Sequence, residues 1–206
     1  MTNATMSAQP SSGPAETFRF HRYIGWVLHN VVWIWLGALV LGFGLFNDYF
    51  LTVMNLQNIM VQATVLGMLG LAVALPLLVA EIDLSIPANL GFSSAVGVLA
   101  YSDLGLPWGI AMLLGVAAAT FIGFFNGVCI TKLRMVSLIE TLAMMIILQG
   151  ALLAVTQGKT LTNMSDGYVW IGQATIGGWP VMPLVYVAAL IVVGFMLKRT
   201  VFGRSI

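Results

Sequence analysis

From residue 107 to residue 130 the chain reads PWGIAMLLGVAAATFIGFFNGVCI, without one charged side chain. An α-helix of about 20 apolar residues crosses the roughly 30 Å hydrocarbon core of a bilayer, whereas a surface helix in water needs a polar face. Comparable runs occupy residues 23–46, 59–80, 86–101, 135–155 and 181–197. Hydrocarbon offers no partner to backbone N–H and C=O groups, so a spanning segment is a helix or part of a closed barrel. Barrel strands alternate apolar and polar residues, and these runs are solid. The expected fold is therefore an all-α integral membrane protein with about six transmembrane helices. The composition agrees, at 60% hydrophobic and 7% charged residues with a mean hydropathy of +0.99.

Orientation follows from the basic residues, which concentrate on the cytoplasmic side of membrane proteins. A cytoplasmic N-terminus puts Arg19, Arg22, Lys132, Arg134, Lys198, Arg199 and Arg204 inside and only Lys159 outside. An even number of spans returns the C-terminus to the same side. Residues 1–22 are small and polar and read as a disordered cytoplasmic tail, leaving residues 23–206 as the transmembrane domain. A short interfacial helix is expected within residues 46–60, and an irregular loop with aromatic anchors over residues 156–180.

Enzymatic constellations are sparse. Gly158-Lys159-Thr160 ends like a phosphate-binding loop, but position 153 is leucine where that motif requires glycine. His21 and His29 have no Cys or carboxylate at ligand spacing, so no metal is expected. A net charge of +1 gives no reason to expect nucleic acid as a partner.

Polar residues inside apolar runs carry more information. Gly115, Ala119, Gly123 and Gly127 continue a four-residue repeat begun at Ala111, a small-residue ridge suited to close helix packing, with Asn126 at its edge. Glu140 and Gln149 interrupt the fifth run. An ionisable group within a span is costly and faces protein or water. For Glu140 two readings stand equally, a lining of the translocation path or a headgroup-level neutraliser of Lys132 and Arg134. Between the second and third runs, EIDLSI (81–86) alternates, placing Glu81, Asp83 and Ser85 on one side of an extended segment. Pro76 should kink or end the preceding helix. Ser85 followed by Pro87 has the form of a helix start, with Asp83 or Ser85 as the capping side chain. Short and proline-interrupted helices around a polar break point to a transport site or a moving element, and a cytoplasmic loop whose acids are simply solvated stands as an equal alternative.

These residues also carry a family likeness. Glu81-Ile82-Asp83-Leu84-Ser85, Gly123-Phe124-Phe125-Asn126-Gly127, the set Ile139, Thr141, Leu142 and Met145, and the set Thr200, Phe202, Gly203 and Arg204 follow one another as in the permease subunits of ribose-type bacterial importers of the ATP-binding-cassette class. The chain resembles that family, which also takes up xylose, arabinose, galactose and autoinducer-2. Glu81 and Pro87 depart from it, standing where the family commonly has glycine. The chain also stops at FGRSI, where members continue into the segment that docks on the ATPase and into further spans, so it looks like the N-terminal part of a permease.

The resemblance implies a translocation path for a sugar or sugar-like solute in the bacterial cytoplasmic membrane. Asp83 and Ser85 would shape the junction, Glu81, Asn126, Glu140 and Gln149 would be candidates for the path, and Gly203 and Arg204 would lie near the ATPase-docking segment. The implied partners are a second permease copy or sister permease, an ATP-binding subunit, a periplasmic or extracellular solute-binding protein and the lipid bilayer. ATP would be used by the partner, with no cofactor in this chain. Two other readings are a secondary transporter or channel working through Glu81, Asp83 and Glu140, and a truncated remnant.

Overall fold

The computed structural model describes residues 29–162, 164–200 and 203. The tail at 1–22, the start of the first run, and Arg204 lie outside the described residues. Seven helices and one small hairpin are described: α1 (Val31–Phe46), α2 (Val53–Leu78), α3 (Ile86–Ser102), α4 (Trp108–Thr131), α5 (Ser137–Thr156), α6 (Asp166–Gln173), β1 (Thr175–Ile176), β2 (Trp179–Pro180) and α7 (Met182–Arg199). The chain divides into two compact units, residues 1–56 and 57–206.

In the first unit, α1 buries no residue, and Phe43 and Phe50 meet with ring centroids 5.5 Å apart. The separate interfacial helix expected within residues 46–60 is not formed. A turn at residues 48–52 leads directly into α2 at Val53, and Asn55 Nδ2 donates to the Phe50 carbonyl at 2.7 Å. The polar residues there serve the start of a long helix.

Among the described residues, four helices, α2, α4, α5 and α7, are long and apolar enough to cross a membrane, and α1 is a shorter apolar helix. The remaining expected span, α3, is a helix of 17 residues that buries Ala88, Ser93, Ala95, Gly97, Val98 and Ala100. It packs mainly on α4 and α5. A helix enclosed by other helices meets little hydrocarbon, so small residues replace large apolar ones. In α2 and α7, by contrast, residues such as Leu66 and Ile191 stand open to the surroundings, a surface suited to lipid.

The α3–α4 contact is close because both sides lack bulk. A Cβ at Gly115 would lie 2.8 Å from the Ser93 carbonyl, and one at Gly97 would lie 3.2 Å from the Ala111 carbonyl. The expected ridge holds for Ala111 and Gly115 and then turns away. Ala119 is half-buried, while Gly123 and Gly127 are exposed with no neighbour within 4 Å of a Cβ. A step of four residues advances 400° around a helix of 3.6 residues per turn, so a strict four-residue row drifts by about 40° each step. The buried face continues instead through Ile122, Asn126 and Cys129.

Residues 156–180 are more ordered than the irregular loop expected. Ser165 caps α6, accepting from the Tyr168 N–H at 3.3 Å, and β1 pairs antiparallel with β2. Their two-residue turn, Gly177-Gly178, has positive φ at both positions (58° and 82°), the backbone that tight hairpins require. Gln57 Nε2 donates to the Gly178 carbonyl at 2.6 Å.

Candidate functional site

Pro76 lies within α2, which ends two residues later at Leu78. The Val79 and Glu81 N–H groups both turn back onto the Pro76 carbonyl, at 3.0 and 3.1 Å, and Ala80 takes a left-handed φ of 58°. Residues 81–85 then run without regular secondary structure along the start of α5. Ile82 N–H points to Ser137 Oγ at 3.5 Å, Leu84 N–H donates to Thr141 Oγ1 at 3.2 Å, and Thr141 Oγ1 lies 3.2 Å from the Ile82 carbonyl. Ser137 and Thr141, one turn apart on α5, thus give the junction backbone side-chain partners. Sequence reasoning assigned them no role, although two hydroxyls at i and i+4 were a readable signal.

The alternation of EIDLSI is realised with its polar side inward. Ser85 is 1% exposed, against 41% for Ile82 and 37% for Leu84. Asp83 and Glu81 are half-buried. The expected capping by Asp83 or Ser85 does not occur, since Ser85 is the N-cap of α3 but no side chain caps there. Two features account for this. Ser85 has helical dihedrals (φ −78°, ψ −17°) instead of the extended ones a capping side chain needs, and Pro87 removes one of the N–H groups that a cap would satisfy. Asp83 Oδ1 accepts instead from the Ser85 N–H at 2.8 Å and from Ser85 Oγ at 2.6 Å. The pair shapes the junction as a local turn.

Ser85 Oγ in turn lies 2.8 Å from the Asn126 amide. The other end of that amide stands 3.3 Å from Glu140 Oε1 and 3.2 Å from the Ile122 carbonyl. A polar chain therefore runs Asp83–Ser85–Asn126–Glu140 through the contact of the junction, α4 and α5. Asn126 and Glu140 are 3% and 4% exposed, and Glu140 Oε2 has no hydrogen-bond partner. Lys132 and Arg134 are exposed, so the headgroup-neutralising reading of Glu140 gives way to a buried, protein-facing one.

A second region with polar side chains, Ser94, Gln149 and Lys159 among them, lies between α3 and α5. A cavity of about 590 Å³ is lined by Gly91, Ser94 and Val98 from α3, Gln149, Leu152 and Thr156 from α5, and Lys159 beyond it. A neighbouring space of about 370 Å³ shares Val98, Thr156 and Lys159 and adds Ser102, Asp103 and Gln157. Gln149 thus lines a cavity, while Asn126 and Glu140 sit in the packed chain and Glu81 in the junction. Gly203 N–H points to Thr200 Oγ1 at 3.3 Å, after the end of α7. Among the described residues, no group of three or more His, Cys, Asp or Glu could hold a metal ion.

Residues 55–206 match the model of the family described as branched-chain amino acid transport system / permease component. The chain belongs to this permease family. Among permeases, it is 31% identical over 168 residues to the ribose import permease protein of Bacillus subtilis (strain 168), covering 81% of this chain and 52% of that protein. It is 30% identical over 158 residues to the L-arabinose ABC transporter permease protein of Azospirillum brasilense, covering 76% and 46%. It is 28% identical over 160 residues to the autoinducer 2 import system permease protein of Enterobacter sp. (strain 638), covering 77% and 46%. The chain spans about half the length of these curated permeases. No solved structure matches it significantly.

Proposed function

We propose that the complete protein is the membrane permease subunit of an ATP-driven importer, and that it carries a sugar or sugar-like solute. The observation that carries this reading is the cavity between α3 and α5. It is bounded by Ser94, Gln149 and Lys159 at one end of the helix pair, while the Asp83–Ser85–Asn126–Glu140 chain and the Thr141 contacts close the other end. By the basic-residue bias, the open end faces outward. A path open on one side and packed shut on the other is what alternating access requires of a resting state. The few polar groups on an otherwise apolar wall suit a passage of low specificity, with selection left to a solute-binding protein outside. The permease names of the relatives, ribose, L-arabinose and autoinducer 2, support a sugar or sugar-like substrate. ATP hydrolysis belongs to a separate subunit, and a second permease copy or sister permease completes the path.

The test is uptake in vesicles holding the full-length permease with its ATP-binding subunit and solute-binding protein. Uptake is expected to stop when ATP hydrolysis is blocked and to persist when the proton and sodium gradients are collapsed. The reverse pattern would establish a secondary transporter and sink the proposal.

A further inference from the structure

The chain Asp83–Ser85–Asn126–Glu140 has three contacts in series: 2.6 Å from Asp83 Oδ1 to Ser85 Oγ, 2.8 Å from Ser85 Oγ to the Asn126 amide, and 3.3 Å from that amide to Glu140 Oε1. Each contact needs one hydrogen between its two heavy atoms. A serine hydroxyl carries one, and an amide donates at one end only. With the amide nitrogen toward Ser85, the serine proton goes to Asp83 and the first two contacts are filled. The amide oxygen then meets Glu140 Oε1, and no hydrogen lies between them. With the amide reversed, its nitrogen serves Glu140, but Ser85 has one proton for two acceptors, the amide oxygen and Asp83. Either way, two ionised carboxylates leave the chain one proton short.

We propose that this chain is a binding site for a single proton, held on Glu140. Two observations place it at that end. Asp83 is half-buried and its Oδ1 accepts two hydrogen bonds from Ser85, the hydroxyl one at the short length of an O–H···O⁻ bond, so its ionised form is well served. Glu140 is 4% exposed and its Oε2 has no partner, so an anion there would be buried without compensation. In the resulting arrangement Glu140 donates to the Asn126 oxygen, Asn126 to Ser85 Oγ, and Ser85 to Asp83.

The other titratable groups on the surrounding elements are Glu81 in the junction, Cys129 on α4, and Lys132 and Arg134 after it. Both basic side chains are exposed. From α3 none is contributed before Tyr101. The site does not depend on the transport reading, since it follows from hydrogen counting within one packed contact.

The experiment is infrared difference spectroscopy on the chain in lipid nanodiscs at neutral pH, reading the C=O stretch of an un-ionised carboxylic acid. The expected result is one such carboxyl per chain, shifted in deuterium oxide, lost in Glu140→Gln and kept in Asp83→Asn. Glu140→Gln preserves an N–H donor toward Asn126, so it should fold with an unchanged melting temperature, which separates loss of the band from loss of the protein. Absence of the band in the wild-type chain, or its survival in Glu140→Gln, overturns the assignment. So does its disappearance on adding sodium or potassium, which would make the site one for a metal cation.

Discussion

Tyr168 shows how one side chain reports on its packing. Its hydroxyl is buried without a hydrogen-bond partner, and it would lie 2.9 Å from a Cβ placed on Gly97. Burial pushes its phenol above the ordinary tyrosine value, because the phenolate would lose its hydration. A raised pKa means that the folded state holds this proton more tightly than the unfolded chain does. Stability from this source is complete below about pH 10, the unfolded value, and is lost as pH rises beyond it toward the folded value. Tyr168→Phe should flatten that alkaline decline in a thermal-unfolding series while leaving neutral-pH stability equal or slightly higher, since it deletes an unsatisfied hydroxyl. An alkaline decline of the same steepness in the variant would mean that the phenol is not the group responsible.

For the helices, the informative comparison lies along α4. Gly115 faces a backbone carbonyl at 2.8 Å from its virtual Cβ, whereas Gly127 faces open space. Gly115→Ala should force α3 and α4 apart and cost about 1–3 kcal/mol, the range for overpacking. Gly127→Ala should be neutral or stabilising by up to about 1 kcal/mol, the helix-propensity gain. Steric-trap or denaturant unfolding in micelles would measure both, and equal costs would contradict the α3–α4 geometry. The sequence displayed the small-residue repeat but not its phase. A four-residue row reads as one line on paper, yet it rotates away from a partner helix within three steps. The hairpin after α6 was more legible than the loop expectation allowed, for Gly177-Gly178 between Ile176 and Trp179 is a turn signal in itself.

At the scale of the whole molecule, orientation and access can be read together. The single cysteine, Cys129, is 6% exposed, so the native background for thiol labelling should be low. A cysteine replacing Gln149, which is exposed to the cavity, should react with a membrane-impermeant maleimide added outside cells, at least tenfold faster than Cys129. One replacing Lys132 should react only after the membrane is opened. Labelling of position 132 from outside would reverse the topology.

The solvent and the segments were legible in the order of the residues. Hydropathy over about 20 residues and the bias of Lys and Arg are local sums, so the long helices, their polar breaks and the basic side all followed from the chain read in order. The family likeness rested on local motifs in the same way. Which polar residues meet depends instead on how the helices pack. Asn126 reaches Ser85 across 41 positions and Thr141 reaches Ile82 across 59, and the register of three packed segments, which no local sum contains, brings them together. That register made Asp83 and Ser85 part of a hydrogen-bond chain instead of a helix cap, and it placed Glu140 in the packed contact of α4, α5 and the junction and Gln149 on a cavity wall.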